Sequence, residues 1–261
     1  MFEEWALRFL GVGNSHAVEL GSSAAVLERG GRPTLLIDCG PDTLDRYRSH
    51  YGGSLPQAVF ITHTHLDHIG GLENLFYRAW FDAERRGQIQ LFVPVRLVEV
   101  LQRRVADYPG LLAEDGVNFW DCFRLTPISE GFWLGGRWFS VFPVRHHQFH
   151  SCYGIALEGL FLYTGDTRPI PEVINRFAAR GEWIFHDCAL NANPSHTGAE
   201  ELTTNYGEDQ IRRMTLYHYE SALAGSALRG RGYRVAAAGE RIILCHSDPC
   251  SSQDKDDALS A

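Results

Sequence analysis

The sequence predicts an α+β protein in which one domain spans residues 1–246 and a polar tail spans residues 247–261. Three observations lead to this prediction. Short apolar runs rich in β-branched and aromatic residues recur along the chain, as in buried strands. Segments with helical spacing of apolar residues lie between several of these runs. Hydrophobic residues make up 44% of the 261 residues, which is enough for a substantial core.

The first half of the chain alternates between the two kinds of element. Short apolar runs predict strands at residues 5–10, 24–28, 34–38, 56–62 and 90–95. Arg29-Gly30-Gly31-Arg32-Pro33 has the composition of a turn and predicts a hairpin between the second and third strands. Helices are predicted at residues 43–50, 71–86 and 95–106. In the second of these, Leu72, Leu75 and Phe76 fall on one face, which we expect to pack in the core.

The second half continues the alternation after an interruption. Residues 107–130 give no clear pattern, because prolines and glycines break the segment repeatedly. Beyond it, strands are predicted at residues 138–144, 153–157, 160–164, 182–185, 214–216 and 241–245. Helices are predicted at residues 171–180, 200–202 and 208–213. The chain shows neither an internal repeat nor a long linker, so we expect one domain.

The loop after the fourth predicted strand has the strongest chemical signal. His63, His65, Asp67 and His68 fall within six positions, directly after the apolar run at residues 58–61. The chain has 12 histidines in 261 residues, so chance is a poor explanation for three so close together. Imidazole nitrogens with a carboxylate oxygen suit zinc, and also manganese or iron. The loop therefore predicts a metal site.

Other predicted strands also end in histidine or aspartate, at positions His146, Asp166, His186, His218 and His246. A single histidine at a strand end is more often a residue satisfied by hydrogen bonds than a ligand. Six such strand ends, counting the loop at residues 63–68, are better explained by a shared site, because a sheet fixes its strand ends relative to one another.

Composition limits the possible partners and location. The formal net charge is −8, which disfavours tight non-specific binding of a long nucleic acid, since such binding depends on many Lys and Arg contacts. The six cysteines are scattered without a C-x-x-C pair, which indicates reduced thiols in a cytoplasmic protein. The amino-terminal segment lacks the features of an export signal, and no apolar run is long enough to span a membrane.

The segment His63-Thr64-His65-Leu66-Asp67-His68 resembles the H-x-H-x-D-H motif of the metallo-β-lactamase-fold hydrolases. Further segments are similar to other parts of that fold: Phe9-Leu10-Gly11-Val12-Gly13, Leu36-Ile37-Asp38-Cys39-Gly40, Pro143-Val144-Arg145-His146, Tyr163-Thr164-Gly165-Asp166-Thr167 and Leu216-Tyr217-His218-Tyr219. The resemblance covers nearly the whole chain. It implies a four-layer αββα sandwich.

The same resemblance implies two divalent metal ions, with zinc favoured and manganese or iron as alternatives. The implied ligands are His63, His65 and His146 for one ion, Asp67, His68 and His218 for the other, and Asp166 between them. Asp67 is also expected to take part in catalysis. His147 remains an alternative to His146, and His150 is the least favoured of the three. Two close cations would polarise a substrate oxygen and lower the pKa of a water molecule.

Within the fold, the chain looks closest to the ribonuclease Z and cyclic phosphodiesterase branch. The segments Phe185-His186-Asp187-Cys188 and Ser195-His196-Thr197 carry this resemblance. It implies that His196 is the general acid on the leaving oxygen and that Asp187 orients it. A histidine can supply such a proton near neutral pH.

His146 and Asp166 are only 20 positions apart, which leaves no room for the tRNA-binding arm found in some ribonuclease Z enzymes. We therefore predict hydrolysis of a small phosphodiester, most simply a cyclic nucleotide or cyclic phosphate. The alternatives are a lactone, ester or thioester hydrolase on the same fold, a tRNA 3′-processing endonuclease, and a metal-binding protein without activity. A homodimer is the family-level expectation. Asn14 and His16 are candidates to reach the site, and Arg168 is expected to cap the surface rather than bind phosphate.

Overall fold

The computed structural model describes residues 3–107, 111–112 and 117–244, and places two β-sheets face to face with helices on the outer sides. The strands, in chain order, are β1 (Trp5–Gly11), β2 (Ala24–Arg29), β3 (Arg32–Ile37), β4 (Ala58–Phe60), β5 (Ile89–Pro94), β6 (Leu111–Leu112), β7 (Val117–Asn118), β8 (Phe123–Ile128), β9 (Gly131–Leu134), β10 (Arg137–Pro143), β11 (Tyr153–Leu157), β12 (Phe161–Tyr163), β13 (Trp183–Asp187), β14 (Met214–Tyr217) and β15 (Arg241–Ile243).

The α-helices are α1 (Thr43–His50), α2 (Leu66–Ile69), α3 (Leu72–Phe81), α4 (Val98–Leu101), α5 (Pro171–Phe177), α6 (Ala199–Asn205), α7 (Glu208–Arg212) and α8 (Ala222–Gly230). Short 3₁₀ or π turns lie at Val18–Leu20, Val95–Leu97, Gln102–Ala106 and Phe119–Cys122. None of the helices in the described part of the chain has the length and apolarity that crossing a bilayer requires.

The first sheet has seven strands in the order β15-β1-β2-β3-β4-β5-β8. Its first half is antiparallel, and the hairpin between β2 and β3 turns through Gly30 and Gly31, which both have positive φ as a tight hairpin turn requires. Strands β3, β4, β5 and β8 are parallel. The carboxyl ends of β3 and β4 therefore lie side by side, which brings Asp38 next to the loop of residues 62–68.

The second sheet has six strands in the order β14-β13-β12-β11-β10-β9. Strands β12, β13 and β14 are parallel to one another. Strand β10 also points in their direction, because β11 is antiparallel to both β10 and β12. The residues that follow β10, β12, β13 and β14 consequently meet at one edge of the sheet. Four of the histidine or aspartate positions singled out in the sequence follow or end these strands.

The core lies between the sheets and is rich in aromatic rings. The ring of Phe9 in β1 lies 5.6 Å from that of Phe185 in β13, and Phe92 in β5 stacks at 3.9 Å on Phe132 in β9. Each such ring, when fully buried, contributes roughly 1.5–3 kcal/mol through removal of apolar surface from water. The two sheets are thereby held rigidly against each other, and their edges present the site residues from fixed positions.

Some predicted elements differ from the observed ones. The helix predicted at residues 71–86 ends at Phe81, because the chain turns at Asp82, whose side chain accepts the amide of Glu84. Residues 95–106 form a succession of short helical turns rather than one α-helix. Strand β8 falls in a region that gave no prediction, and Pro127 is tolerated there because β8 is an edge strand. His246 and the predicted tail at residues 247–261 lie outside the described residues.

Candidate metal centre

One group of ligand atoms forms where the loop after β4 meets the end of β10. Nitrogens of His63, His65 and His146 and a carboxylate oxygen of Asp166 all lie within 4.8 Å of one another. Nε2 of His146 is 3.3 Å from Nδ1 of His65, and Nε2 of His63 is 3.5 Å from Oδ2 of Asp166. The structure thus brings together the four residues that the sequence assigned to the first metal and the bridge.

A second group forms between the start of α2 and the end of β14. Asp67, His68 and His218 place their ligand atoms within the same limit of 4.8 Å. Oδ2 of Asp67 is 3.4 Å from Nε2 of His68 and 3.6 Å from Nε2 of His218. These are the three residues that the sequence assigned to the second metal.

Asp166 lies between the two groups. Its Oδ2 atom is 3.2 Å from Nε2 of His218, 3.4 Å from that of His68, 3.5 Å from that of His63 and 3.8 Å from that of His146. Ligand atoms about 2.0–2.1 Å from a tetrahedral zinc ion lie about 3.3–3.4 Å from one another. The observed spacings of 3.2–3.8 Å lie around this value, and one carboxylate faces both groups.

Unpaired buried atoms provide a separate test of whether these residues fit metal ions. Nε2 of His63, of His68 and of His218 and Oδ1 of Asp166 are buried and have no hydrogen-bond partner among the described residues. Such atoms are costly in a protein interior unless something binds them. The donor set of imidazole nitrogens and carboxylate oxygens suits zinc, so the residues fit the expected ions.

Burial and charge give the two groups different proton affinities. Burial lowers the pKa of His63 well below its ordinary value and that of His146 to about 4. Burial also opposes protonation of His218, but the nearby carboxylates of Asp166 and Asp187 outweigh it and raise the pKa to about 10. His68 behaves in the same way and has a pKa well above its ordinary value. A low pKa favours the neutral, coordinating form of the histidines in the first group, whereas a raised pKa means that His68 and His218 must lose protons before they can coordinate.

Asp38 orients one ligand and was not among the predicted site residues. Its Oδ2 accepts a hydrogen bond of 2.8 Å from Nδ1 of His68, which turns Nε2 of that ring toward Asp166. Thr62 anchors the carboxylate through its backbone amide at 2.8 Å and its hydroxyl at 2.7 Å. Asp38 and His218 both have positive φ, at 62° and 65°, a costly backbone conformation that clusters at functional sites. The sequence feature that could have identified Asp38 is its position at the end of a buried strand.

Asp187 is fully buried and holds both His196 and His218. Its Oδ2 accepts hydrogen bonds of 2.8 Å from Nδ1 of His196 and 2.8 Å from the amide of Thr167. Its Oδ1 lies 3.4 Å from Nδ1 of His218, and the rings of His196 and His218 are stacked at 4.9 Å. Burial opposes protonation of His196, but the hydrogen bond and charge of Asp187 raise its pKa above the ordinary value. The predicted pair is thus in contact, and a ring nitrogen of His196 lies within 4.8 Å of ligand atoms of Asp166 and His218.

A tight loop at residues 193–197 links this pair to the first ligand group. The side chain of Asn193 accepts the amides of Ser195 at 2.9 Å and His196 at 3.0 Å. The carbonyl of Ser195 accepts a hydrogen bond of 2.9 Å from Nδ1 of His146, which aims Nε2 of that ligand at the centre. Asn193 was another residue that the sequence did not single out. Its role depends on backbone contacts that leave no sequence motif.

The remaining candidates lie outside the ligand groups. His147 is exposed at the rim, 3.3 Å from the hydroxyl of Ser195, so the geometry favours His146 as the ligand. His186 is buried away from the centre, with Nε2 2.8 Å from the hydroxyl of Tyr206. Arg168 is exposed and lines a neighbouring cleft.

A cavity of about 350 Å³ lies over the centre. Asn14, Ser15 and His16 from the first loop line it together with His147 and Asn193. The first loop therefore reaches the site, as proposed from the sequence for two of its residues.

A sequence profile of the family described as "Anti-Pycsar protein Apyc1" matches residues 5–241. The chain belongs to this family. The Anti-Pycsar protein Apyc1 of Paenibacillus harenae is 31% identical over 221 residues, which cover 82% of this chain and 89% of that protein. Membership of the Anti-Pycsar Apyc1 family agrees with the predicted cyclic phosphodiesterase branch of metal-dependent hydrolases.

Solved structures give the fold. A diphosphatase of the PhnP family superposes with a TM-score of 0.75 at 20% identity, covering 93% of this chain and 98% of the other. The metallo-β-lactamase-fold protein YhfI of Bacillus subtilis has a TM-score of 0.72 at 15% identity, covering 92% and 99%. The predicted metallo-β-lactamase fold is confirmed.

Proposed function

We propose that this protein is a metal-dependent phosphodiesterase that hydrolyses cyclic nucleotides. Anti-Pycsar proteins degrade cyclic nucleotides, and this chain belongs to their family. The observation that carries the proposal is a proton donor, His196, held by a buried carboxylate beside two groups of ligand atoms that share Asp166. Hydrolysis of a phosphodiester with a ribose leaving group uses both parts of this arrangement.

We propose two divalent ions, with zinc favoured because the ligand atoms are imidazole nitrogens and carboxylate oxygens. His63, His65 and His146 would hold one ion, Asp67, His68 and His218 the other, and Asp166 both. When bound, such ions supply positive charge to the phosphoryl oxygens and lower the pKa of a water molecule. Asp38, through His68, and the carbonyl of Ser195, through His146, keep the ligand rings in the required orientation.

His196 has the geometry of a general acid. Its Nδ1 is committed to Asp187, so Nε2 is the atom available to the substrate. In ring opening, a water molecule loses one proton to solvent and its oxygen bonds to phosphorus, the bond from phosphorus to the ribose oxygen breaks, and Nε2 of His196 gives its proton to that oxygen. His196 then regains a proton from solvent. Asp187 favours the protonated ring before the step and fixes its orientation.

The site suits a small substrate. The segment between His146 and Asp166 holds only a loop and the hairpin of β11 and β12, so no arm for tRNA projects from it. The cavity over the centre is about 350 Å³ and the chain carries a net charge of −8. Both properties favour a cyclic mononucleotide over a long nucleic acid.

The test is hydrolysis of cyclic mononucleotides by the purified protein after removal of metals and after addition of zinc or manganese. We expect linear nucleoside monophosphates to form only with metal. Turnover of lactones or thioesters, with none of cyclic nucleotides, would support an ester hydrolase instead. Cleavage of a tRNA precursor would support 3′ processing.

We also propose that the protein is cytoplasmic and forms a homodimer. Cys39, Cys122, Cys152 and Cys188 are buried free thiols, as expected in a reducing compartment. Trp133 and Trp138 are exposed on neighbouring strands and could be covered by a second copy. Light scattering that gives the mass of one chain at micromolar concentration would refute the dimer.

A further inference from the structure

A second cavity, of about 530 Å³, opens beside the metal centre. Asn14, Ser15, His65 and Asp67 line both this cavity and the cavity over the centre, so the two cavities adjoin at these residues. A substrate with its phosphate over the centre can therefore extend into this second cavity.

The second cavity has an apolar wall of a kind unusual next to a metal site. Val18, from the turn at Val18–Leu20, is 81% exposed, and Leu66, at the start of α2, is 59% exposed. Ala17 and Pro41 extend this wall, and Ser22 and Asp42 also line the cavity. Large apolar side chains left in water beside a catalytic centre indicate a surface that a ligand covers.

A third cavity, also lined by His65, is more basic. Its volume is about 480 Å³, and Arg96, Arg104, His147 and His150 line it together with the apolar Leu97, Val100 and Phe149. No carboxylate lies among its described lining residues. Guanidinium groups suit an anion such as a phosphate.

We infer that the nucleobase of the cyclic nucleotide packs against Val18 and Leu66 while its phosphate lies over the metal centre. This inference rests on the proposed function. Asn14 lies at the border of the two cavities, and its side-chain oxygen accepts the amide of His16 at 3.0 Å, which leaves its NH₂ group to donate to the edge of the base. Because every base has an apolar face, the wall favours a base without strong selection among bases.

The test compares cyclic AMP and cyclic CMP with an abasic analogue, 1-deoxyribose 3′,5′-cyclic phosphate. For Val18→Ala and Leu66→Ala we expect KM for both nucleotides to rise about fourfold to tenfold, from the lost apolar contact, with kcat within about twofold. KM for the abasic analogue should not change. Arg96→Ala, in the third cavity, is the matched control and should leave all three KM values unchanged.

Metal content and molar mass are measured for every variant. Val18 is not next to a ligand in the sequence, so Val18→Ala tests the inference even if Leu66→Ala loses metal. An equal rise in KM for the nucleotides and the abasic analogue would overturn the inference. A rise in KM for the nucleotides alone in Arg96→Ala would also overturn it, and so would a loss of activity in Val18→Ala that a change in molar mass explains. If the unmodified protein hydrolyses nucleotides but Val18→Ala is unchanged, the base wall fails and the proposed function stands. If the unmodified protein hydrolyses no cyclic nucleotide, both fail.

Discussion

Replacement of His196 with alanine should slow the hydrolysis of cyclic nucleotides far more than that of substrates with a good leaving group. In the structure, Nδ1 of His196 is bound to Asp187 at 2.8 Å, so Nε2 alone can protonate a leaving oxygen. His196→Ala therefore deletes the whole proton donor. A positioned general acid contributes about 10²–10⁴-fold, equivalent to about 2.7–5.4 kcal/mol of transition-state stabilisation.

The assay compares a cyclic mononucleotide, which releases a ribose alkoxide, with bis(p-nitrophenyl) phosphate, which releases a stabilised phenolate that needs no proton. We expect kcat for the nucleotide to fall about 10²–10⁴-fold and kcat for the nitrophenyl ester to fall less than about tenfold. Asp187 keeps its bond to the amide of Thr167 in the variant, so zinc content should not change. His50 is exposed at the end of α1, and His50→Ala is the control for general effects of replacing a histidine.

His196→Asn separates proton transfer from structure. Its side-chain amide can replace Nδ1 as a donor to Asp187, but it has no group equivalent to Nε2. It should therefore be as slow on the nucleotide as His196→Ala. Equal losses on both substrates, or an asparagine variant that keeps most of the activity on the nucleotide, would refute the role of His196 as the acid.

Three further predictions concern the residues around the centre. Asp187→Asn should lower kcat/KM about 10- to 100-fold. It should also move the alkaline limb of the pH profile to lower pH, because His196 loses the carboxylate that raises its pKa. An unchanged alkaline limb would contradict this. Asn193→Ala should lower kcat about tenfold and Asn193→Asp, which can accept the same two amides, should restore it, as measured in parallel assays. Metal binding near pH 7 should release protons from His68 and His218, because nearby carboxylates raise the pKa of both rings, and zinc affinity should therefore rise with pH. Calorimetry in buffers of different ionisation enthalpy that shows no proton release would refute this.

The candidate positions stand out in the sequence because each one follows an apolar run that forms a strand, and the resemblance to the metallo-β-lactamase-fold hydrolases implies their division between two metals. Strands β10, β12 and β14 run in the same direction, so their carboxyl ends lie at the same edge of the sheet. His146, Asp166 and His218 follow these ends and therefore share that edge. His63, His65, Asp67 and His68 lie within six positions of the sequence, so their proximity in space could be predicted without knowledge of the fold. The assignment of these residues as ligands stays a prediction until metal is measured.

The residues that hold the ligands in place could not be predicted in the same way. Asp38 contacts His68 because β3 and β4 are neighbours in the sheet, and the sequence alone does not show that pairing. Asn193 acts through two backbone amides of its own loop, a contact that many asparagines in loops make without any function. Asp38 and Asn193 matter because of the histidines that they position, and those contacts are visible only in the three-dimensional structure.

His186 shows why a strand end alone is too weak a criterion for a ligand. Successive side chains of a strand point to opposite faces, so in β13 only one of His186 and Asp187 can face the metal centre. Asp187 faces it and contacts His196, whereas His186 points away and meets the hydroxyl of Tyr206. That hydroxyl in turn accepts the amide of Ile170, on the segment that follows Asp166. His186 therefore lies in a hydrogen-bonded contact that supports the segment after Asp166, although it cannot reach the centre itself.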